Sequence, residues 1–125
     1  MRLTNFTDYA LRVLIYLAVH ADRRVTIAEI SKIYGISRNH LMKIAAMLSQ
    51  HGFVNAARGN SGGLALARAP DKISIGAVTR MTEAQASLVE CGDRATNSCI
   101  IAPACALKHE LFAAQETFYA RLDGV

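Results

Sequence analysis

The chain has 125 residues, 52% of them hydrophobic, and a formal net charge of +4 at pH 7. This length fits one domain with its own core, and a domain of this size often completes itself by dimerising. The N-terminal residues contain no leader-type apolar stretch, and no apolar run approaches the roughly eighteen residues of a membrane span. We therefore expect a cytoplasmic protein with no membrane contact.

The first predicted helix runs from Thr7 to His20. Thr7 is expected to be its N-cap, with Asp8 in the first turn. Apolar residues recur at steps of three and four, which places one buried face at Ala10, Val13, Leu14, Leu17 and Ala18.

Two shorter helices are predicted next. Thr26 and Glu29 form the pattern of a capping box at the start of the second helix, and Gly35 ends it. Its buried side is expected to be Ile27, Ile30 and Ile33. Ser37 starts the third helix, whose buried residues are expected to be Leu41, Ile44, Ala45 and Leu48. Two short helices joined through a glycine turn indicate a helix-turn-helix.

A β-hairpin is predicted after Gly52. Residues 53–58 and 64–68 read as strands, and the glycine-rich residues 59–63 read as the loop between them. A phosphate-binding loop is excluded, because no Gly-Lys-Ser or Gly-Lys-Thr follows and no helix starts there. Beside the helix pair, the hairpin is typical of a wing.

The last third of the chain is predicted to hold a fourth helix, a loop and a long final helix. Ser74 caps the fourth helix, which extends to about Thr82, and residues 83–102 show no sustained periodicity. Pro103 suits the first turn of the final helix. Its apolar stripe, which indicates a dimer seam, is Leu107, Leu111, Ala114, Phe118 and Leu122.

The predicted fold is therefore mainly α with a small β-hairpin: a winged helix-turn-helix plus a long C-terminal dimerisation helix. The expected divisions are a DNA-binding domain at residues 1–82, a cysteine-bearing loop at 83–102 and the dimerisation helix at 103–125.

The charge distribution indicates a DNA-binding face. No Asp or Glu occurs between Ile30 and Pro70, a window that contains Lys32, Arg38, Lys43, Arg58 and Arg68. An ordinary solvated face explains most scattered charges, but it does not explain an absence of acids this long. The predicted DNA contacts are Ser37, Arg38, Asn39, His40 and Lys43 on the third helix, and Arg58, Asn60 and Gly62 in the wing.

All three cysteines, Cys91, Cys99 and Cys105, lie within one fifteen-residue stretch. An odd number of thiols in a reducing compartment favours a shared metal or cluster over disulfides. Buried inert cysteines are the alternative, but the polar neighbours of these three argue against it. The spacing is wider than that of C-x-x-C zinc knuckles. Three thiolates leave a fourth position, for which the candidates are Asp8, His109, Glu90 and Asp93.

The sequence does not predict an enzyme. A catalytic thiol needs a neighbouring base, and the four histidines, His20, His40, His51 and His109, are each assigned to a separate helical position.

The chain resembles the IscR, NsrR and RirA group of bacterial iron–sulfur transcriptional regulators over nearly its whole length. The resemblance is carried by Met1–Thr4, Thr7–Arg12, Arg58–Gly63 and the three cysteines. It implies a dimeric winged helix-turn-helix protein whose cluster state sets its affinity for a palindromic operator.

Ser87–Cys91 and Cys99–Lys108 are similar to the nitric-oxide-sensing NsrR branch. Asp8 also fits that branch, in which an aspartate there serves as an oxygen ligand from the partner subunit. The seven residues between Cys91 and Cys99 are instead similar to the iron-responsive RirA branch. The IscR branch uses a histidine where this chain has Lys108.

The resemblance thus implies a homodimeric transcriptional repressor with one iron–sulfur cluster per subunit, 4Fe–4S or alternatively 2Fe–2S. Its ligands are expected to be Cys91, Cys99, Cys105 and Asp8, and its signal nitric oxide. Two alternatives are an iron-responsive, RirA-like repressor and a zinc-stabilised structural adaptor.

Overall fold

The computed structural model describes residues 2–57, 63–84 and 86–125, and this part of the chain forms five helices and one two-stranded antiparallel sheet. The elements are α1 Asn5–Val19, α2 Ile27–Tyr34, α3 Arg38–Gln50, β1 Val54–Ala57, β2 Gly63–Leu66, α4 Ile75–Thr82 and α5 Ala106–Asp123. The chain divides into two compact units. The winged-helix unit is Asn5–Ile73, and the cysteine unit is the residues up to Thr4 together with Ser74–Val125.

The helix boundaries follow from local capping chemistry. The Thr26 hydroxyl accepts the Glu29 amide at 3.1 Å, and the Ser37 hydroxyl accepts the His40 amide at 3.2 Å. Gly35 ends α2 in the left-handed region, with φ of 68°. Ser74 caps α4 in the same way as Thr26 and Ser37 cap their helices. These caps confirm the predicted starts of α2, α3 and α4.

Two predictions were wrong, one about the start of a helix and one about the buried face of another. Thr7 is not an N-cap, because α1 begins two residues earlier at Asn5 and Thr7 is fully buried. Ile33 is 59% exposed, although Ile30 is fully buried. Each step of three residues falls about 60° short of a full helical turn, so a run at such steps leaves the buried face.

The core of the winged-helix unit is formed where α1, α3 and the hairpin pack together. The buried side chains include Val13, Leu17, Val25, Ile30, Leu41, Ile44, Leu48, Val54 and Leu64. The strands pair from Val54 with Leu66 to Ala57 with Gly63. Val25 adds a bridge to Leu64 on the other side of β2. The predicted winged helix-turn-helix is therefore confirmed.

In the cysteine unit, α4 and α5 pack against each other. The Arg80 guanidinium donates to Glu116 at 2.9 and 2.7 Å and to Asp123 at 3.0 Å. It also lies 5.0 Å from the ring centre of Tyr119. Gly76 permits close approach of the two helices, since a Cβ there would lie 2.6 Å from the backbone nitrogen of Asp123.

The N-terminal residues complete this unit. The Thr4 amide and hydroxyl donate to Glu83 Oε1 at 2.7 and 3.0 Å. Glu83 follows α4 and is only 6% exposed. The residues before α1 are thus fastened to the end of α4.

The segment between α4 and α5 has little regular structure. Among its described residues the structure contains two single 3-10 turns, Glu90–Gly92 and Ala102–Ala104. Pro103 lies in the second turn, so α5 begins three residues after Pro103 rather than around it. Across the described residues, no helix is both long and apolar enough to cross a membrane.

Candidate DNA-reading surface and cysteine loop

The N-terminal turn of α3 presents the predicted base-reading side chains. Arg38, Asn39 and Lys43 are exposed, and their side chains make no hydrogen bond or ion pair with the rest of the described chain. They are free to donate to base edges or phosphates. Ser37 is also exposed, but its hydroxyl oxygen is occupied by the helix cap.

His40 differs from its neighbours because its ring packs on α1. The Tyr9 ring meets it edge-on with centroids 5.1 Å apart, and the Phe6 ring lies 6.1 Å away. The side chain is half-buried. His40 therefore links α3 to α1, in addition to lying among the predicted reading residues.

The base of the wing is held by residues that precede α2. The Val25 amide donates to the Leu64 carbonyl at 2.9 Å, and the Leu64 amide donates back at 2.7 Å. Arg24 donates to the carbonyls of Asn55 and Gly63, one on each strand. The predicted DNA contacts Arg58, Asn60 and Gly62 lie outside the described residues.

A groove of about 730 Å³ lies between α3 and the hairpin. Its lining is mostly small or apolar and includes Ala28, Met42, Ala45, Ala46, Ala56 and Ala57, with Thr26, Ser49 and Gln50 as the polar members. These lining residues run from α3 to the two strands of the hairpin. The groove was not predicted from the sequence, because its lining residues come from the start of α2, from α3 and from both strands and meet only when these elements pack together.

Arg23 and Tyr16 surround the one acidic side chain of α2. Arg23 donates to Glu29 at 2.9 and 2.7 Å, and the Tyr16 hydroxyl donates to the same carboxylate. Donation by Arg23, and then by Tyr16, lowers the pKa of Glu29 to about 2. The Glu29 carboxylate therefore ties α2 to the end of α1 and does not complete the predicted capping box.

Asp8 on α1 is half-buried, with 46% of its side chain exposed, and it already has a cationic partner. Arg12 donates to its two carboxylate oxygens, both at 3.1 Å. These bonds raise the pKa of Arg12. The guanidinium also lies 6.0 Å from the Tyr9 ring centre and 5.7 Å from that of Tyr34. Any metal ligation by Asp8 would have to replace its two hydrogen bonds from Arg12.

The three cysteines are free thiols on the segment that joins α4 to α5. Cys91 and Cys105 are half-buried, and Cys99 is exposed. Cys105 is the N-cap of α5, and no side chain caps that helix end. The amides there favour an anionic group such as a thiolate ligand.

Short-range hydrogen bonds shape this cysteine loop, defined here as residues 90–105. Glu90 accepts the Ser98 amide at 2.9 Å and the Ser98 hydroxyl. These bonds lower the pKa of Glu90, the hydroxyl contribution being larger. Asp93 accepts the Ala95 amide and the Thr96 hydroxyl, both at 3.0 Å. Two of the four candidate fourth ligands are therefore engaged within the loop.

The loop supplies suitable donors, although they are not assembled around a metal. Within the described ranges, no three His, Cys, Asp or Glu side chains converge closely enough to hold an ion. Soft, accessible thiols on an irregular segment fit an iron–sulfur cluster in chemical type.

Comparison with known proteins identifies the family. The Rrf2 family profile, described as "Iron-dependent Transcriptional regulator", matches residues 3–125. The chain belongs to the Rrf2 family. It is 47% identical over 124 residues to the HTH-type transcriptional regulator NsrR of Bacillus subtilis, covering 98% of this chain and 85% of that protein. The NsrR of Bacillus licheniformis is also 47% identical, with 98% and 87% covered.

Solved structures agree with this assignment at the level of the fold. The T. potens IscR structure superposes with a TM-score of 0.76 at 22% identity, covering 100% of this chain and 82% of that one. The oxidised form of Staphylococcus aureus CymR gives a TM-score of 0.73 at 21% identity, with 98% and 90% covered.

Membership of the Rrf2 family confirms the predicted class. This chain is a DNA-binding, helix-turn-helix transcriptional regulator rather than an enzyme. The individual base contacts and cluster ligands stay predictions. The contacts of Arg24 and Tyr9 were not predicted, since each joins residues 31 or more apart in the chain.

Proposed function

We propose that this Rrf2 protein is a homodimeric repressor that binds a palindromic operator and releases it in response to nitric oxide. The observation that carries the proposal is the group of three free cysteines on one loop, in a chain 47% identical to NsrR. The apolar stripe of α5 is the proposed dimer seam. No α5 side chain is buried, and Leu107 is 62% exposed.

The proposed ligands are Cys91, Cys99 and Cys105 of one subunit and Asp8 of the other. An iron–sulfur cluster, 4Fe–4S in this proposal, would supply iron that reacts with nitric oxide. Asp8 has to leave Arg12 in order to act as a ligand. Loss of ligation returns Asp8 to Arg12.

The contacts of Arg12 connect this exchange to the reading helix. Arg12 lies over the Tyr9 ring, and Tyr9 contacts His40 in the first turns of α3. All of these residues belong to the winged-helix unit, so a change at Asp8 reaches the base-reading side chains through two ring contacts. Because a palindrome fixes the spacing of two reading heads, a small shift there weakens operator binding.

An anaerobic titration tests the proposal. The protein is purified without oxygen, and its visible spectrum, its iron content and its binding to an operator selected from random DNA are followed as nitric oxide is added. We expect the spectrum to bleach as the operator is released. A protein that holds the operator unchanged through full nitrosylation would contradict the proposal.

Two variants refine the test. Asp8→Ala should retain operator binding but respond less to nitric oxide, and Cys99→Ala should lose the visible absorbance. Asp22→Ala, which changes another carboxylate of the winged-helix unit, is the matched control. An unchanged nitric oxide response in Asp8→Ala would remove Asp8 from the ligand set.

Iron sensing is the second candidate function. The description of the Rrf2 family names iron, and seven residues separate Cys91 from Cys99 as in the RirA branch. Operator release by an iron chelator, with no release by nitric oxide, would favour it. Colourless protein that contains zinc and binds no DNA would favour the structural adaptor.

A further inference from the structure

Arg24 lies two residues before the N-cap of α2 and bonds to both strands of the hairpin. Its Nη1 donates to the Asn55 carbonyl on β1 at 3.2 Å and to the Gly63 carbonyl on β2 at 3.0 Å. The side chain is exposed and pairs with no carboxylate in the described part of the chain. One nitrogen therefore joins two strands near the end from which residues 58–62 continue.

The adjacent residue, Val25, holds the same hairpin from the protein interior. Val25 is fully buried and bridges Leu64 through two backbone hydrogen bonds. Gly63 has φ of 136°, and a Cβ on it would lie 2.8 Å from the Val25 carbonyl oxygen. Since successive residues of an extended segment point to opposite sides, Val25 anchors the hairpin inside while Arg24 reaches it from the solvent side.

A hairpin this short needs such support. Each strand has four residues, and a two-stranded hairpin of this kind is marginally stable in water by itself. A wing that is ordered before DNA arrives loses less conformational entropy on binding. The contacts of Arg24 and Val25 supply this order at the base of the wing.

We propose that Arg24 is a positioning residue for DNA recognition. It joins β1 to β2 at the base of the wing, and residues 58–62, which include the predicted contacts Arg58 and Asn60, link these two strands in the sequence. This inference rests on the proposed operator binding, and it assigns to Arg24 an action through the wing rather than a phosphate contact of its own.

The first test needs no DNA. Arg24→Met keeps the length of the side chain and removes every donor. Hydrogen exchange should become faster at the amides of Val54–Ala57 and Gly63–Leu66 and stay unchanged in α1 and α3. Lys72→Met, which removes another exposed positive charge of the winged-helix unit, is the control and should leave these rates alone. Unchanged exchange in Arg24→Met would overturn the proposal.

The second test is a double-mutant cycle on operator binding. Arg24→Met should weaken binding by about tenfold, the size of one lost base contact. In a background that carries Arg58→Ala and Asn60→Ala, adding Arg24→Met should cost little more, because the residues through which it acts are gone. Fully additive losses would show a direct phosphate contact and overturn the proposal. Failure of the parent protein to bind any DNA would instead reject the proposed function, while the exchange result still decides whether Arg24 holds the wing.

Discussion

The imidazole of His40 lies in the first turns of α3 but packs against α1, 5.1 Å from the Tyr9 ring centre. His40→Ala removes these ring contacts and should weaken operator binding by about threefold to tenfold, given the usual worth of an aromatic pair. His40→Phe keeps a ring in place and should bind within about twofold of the parent protein if packing is the main role. Operator titration of both variants, beside Asn39→Ala, measures this. Equal losses in His40→Phe and His40→Ala would show that the imidazole reads a base.

Glu29 makes the stability of the winged-helix unit depend on acid pH. Its pKa is about 2 in the folded chain against an ordinary 4.5, chiefly because Arg23 donates to it. A lowered folded pKa means that the stabilisation is complete above the unfolded pKa and is lost as pH falls towards the folded pKa.

The melting temperature should therefore differ between the parent protein and Glu29→Gln at neutral pH, with the parent higher. This difference should shrink as pH is lowered from about 5 to about 2. Thermal unfolding across that range measures the change, with the exposed Glu110→Gln as control. A difference that stays constant down to the lowest pH would contradict the ion pair.

Helix packing in the cysteine unit depends on a glycine of α4. A Cβ on Gly76 would lie 2.6 Å from the Asp123 nitrogen and 2.8 Å from its Cα, so α5 would have to shift. Gly76→Ala should lower the free energy of unfolding by about 1–3 kcal/mol, as overpacking usually does. Gly124→Ala is the matched control, because the nearest atom to a Cβ there is 3.8 Å away. Urea denaturation measures the free energy of unfolding of both variants. Equal values would show that α4 and α5 can move apart at no cost in stability.

The starts of the helices could be predicted from the sequence more reliably than the burial of their residues. The caps at Thr26, Ser37 and Ser74 depend on hydrogen bonds three residues apart, and these were predicted correctly. Threonine at position 7 is equally suited to cap a helix by residue type, yet its side chain is buried. Only tertiary packing distinguishes this buried threonine from the three capping residues. Hydrogen bonds between near neighbours in the sequence thus predicted where helices begin, but they did not predict which residues are buried.

The contacts that set the candidate sites were harder to predict because they are long-range. Arg24 reaches Asn55 and Gly63, which are 31 and 39 positions away. The cysteines were recognised from their spacing and from a family resemblance, but among the described residues they do not converge with other potential ligands, so the ligand set stays a prediction. Glu90, a candidate ligand, instead bonds within the loop.

The whole molecule is proposed to work as a dimer whose seam is α5. Leu107→Glu places a charge on the exposed apolar stripe and should yield monomers in sedimentation experiments. Operator affinity should fall by about a hundredfold or more, because one reading head alone loses the benefit of two linked sites. Ala120→Glu introduces the same charge at an exposed position on the opposite side of α5 and is the control. A Leu107→Glu protein that stays dimeric would move the seam to another surface.

The two ends of the winged-helix unit both continue into the cysteine unit. Asn5 follows Thr4, whose amide and hydroxyl bond to Glu83, and Ile73 precedes the cap of α4. A protease that cut between Ile73 and Ser74 would therefore leave two fragments joined through Thr4 and Glu83. Such a nicked chain should elute from a sizing column at the same volume as the intact protein, and its fragments should separate only in denaturant. The reason is that the winged-helix unit is inserted within the sequence of the cysteine unit, which has residues on both sides of it.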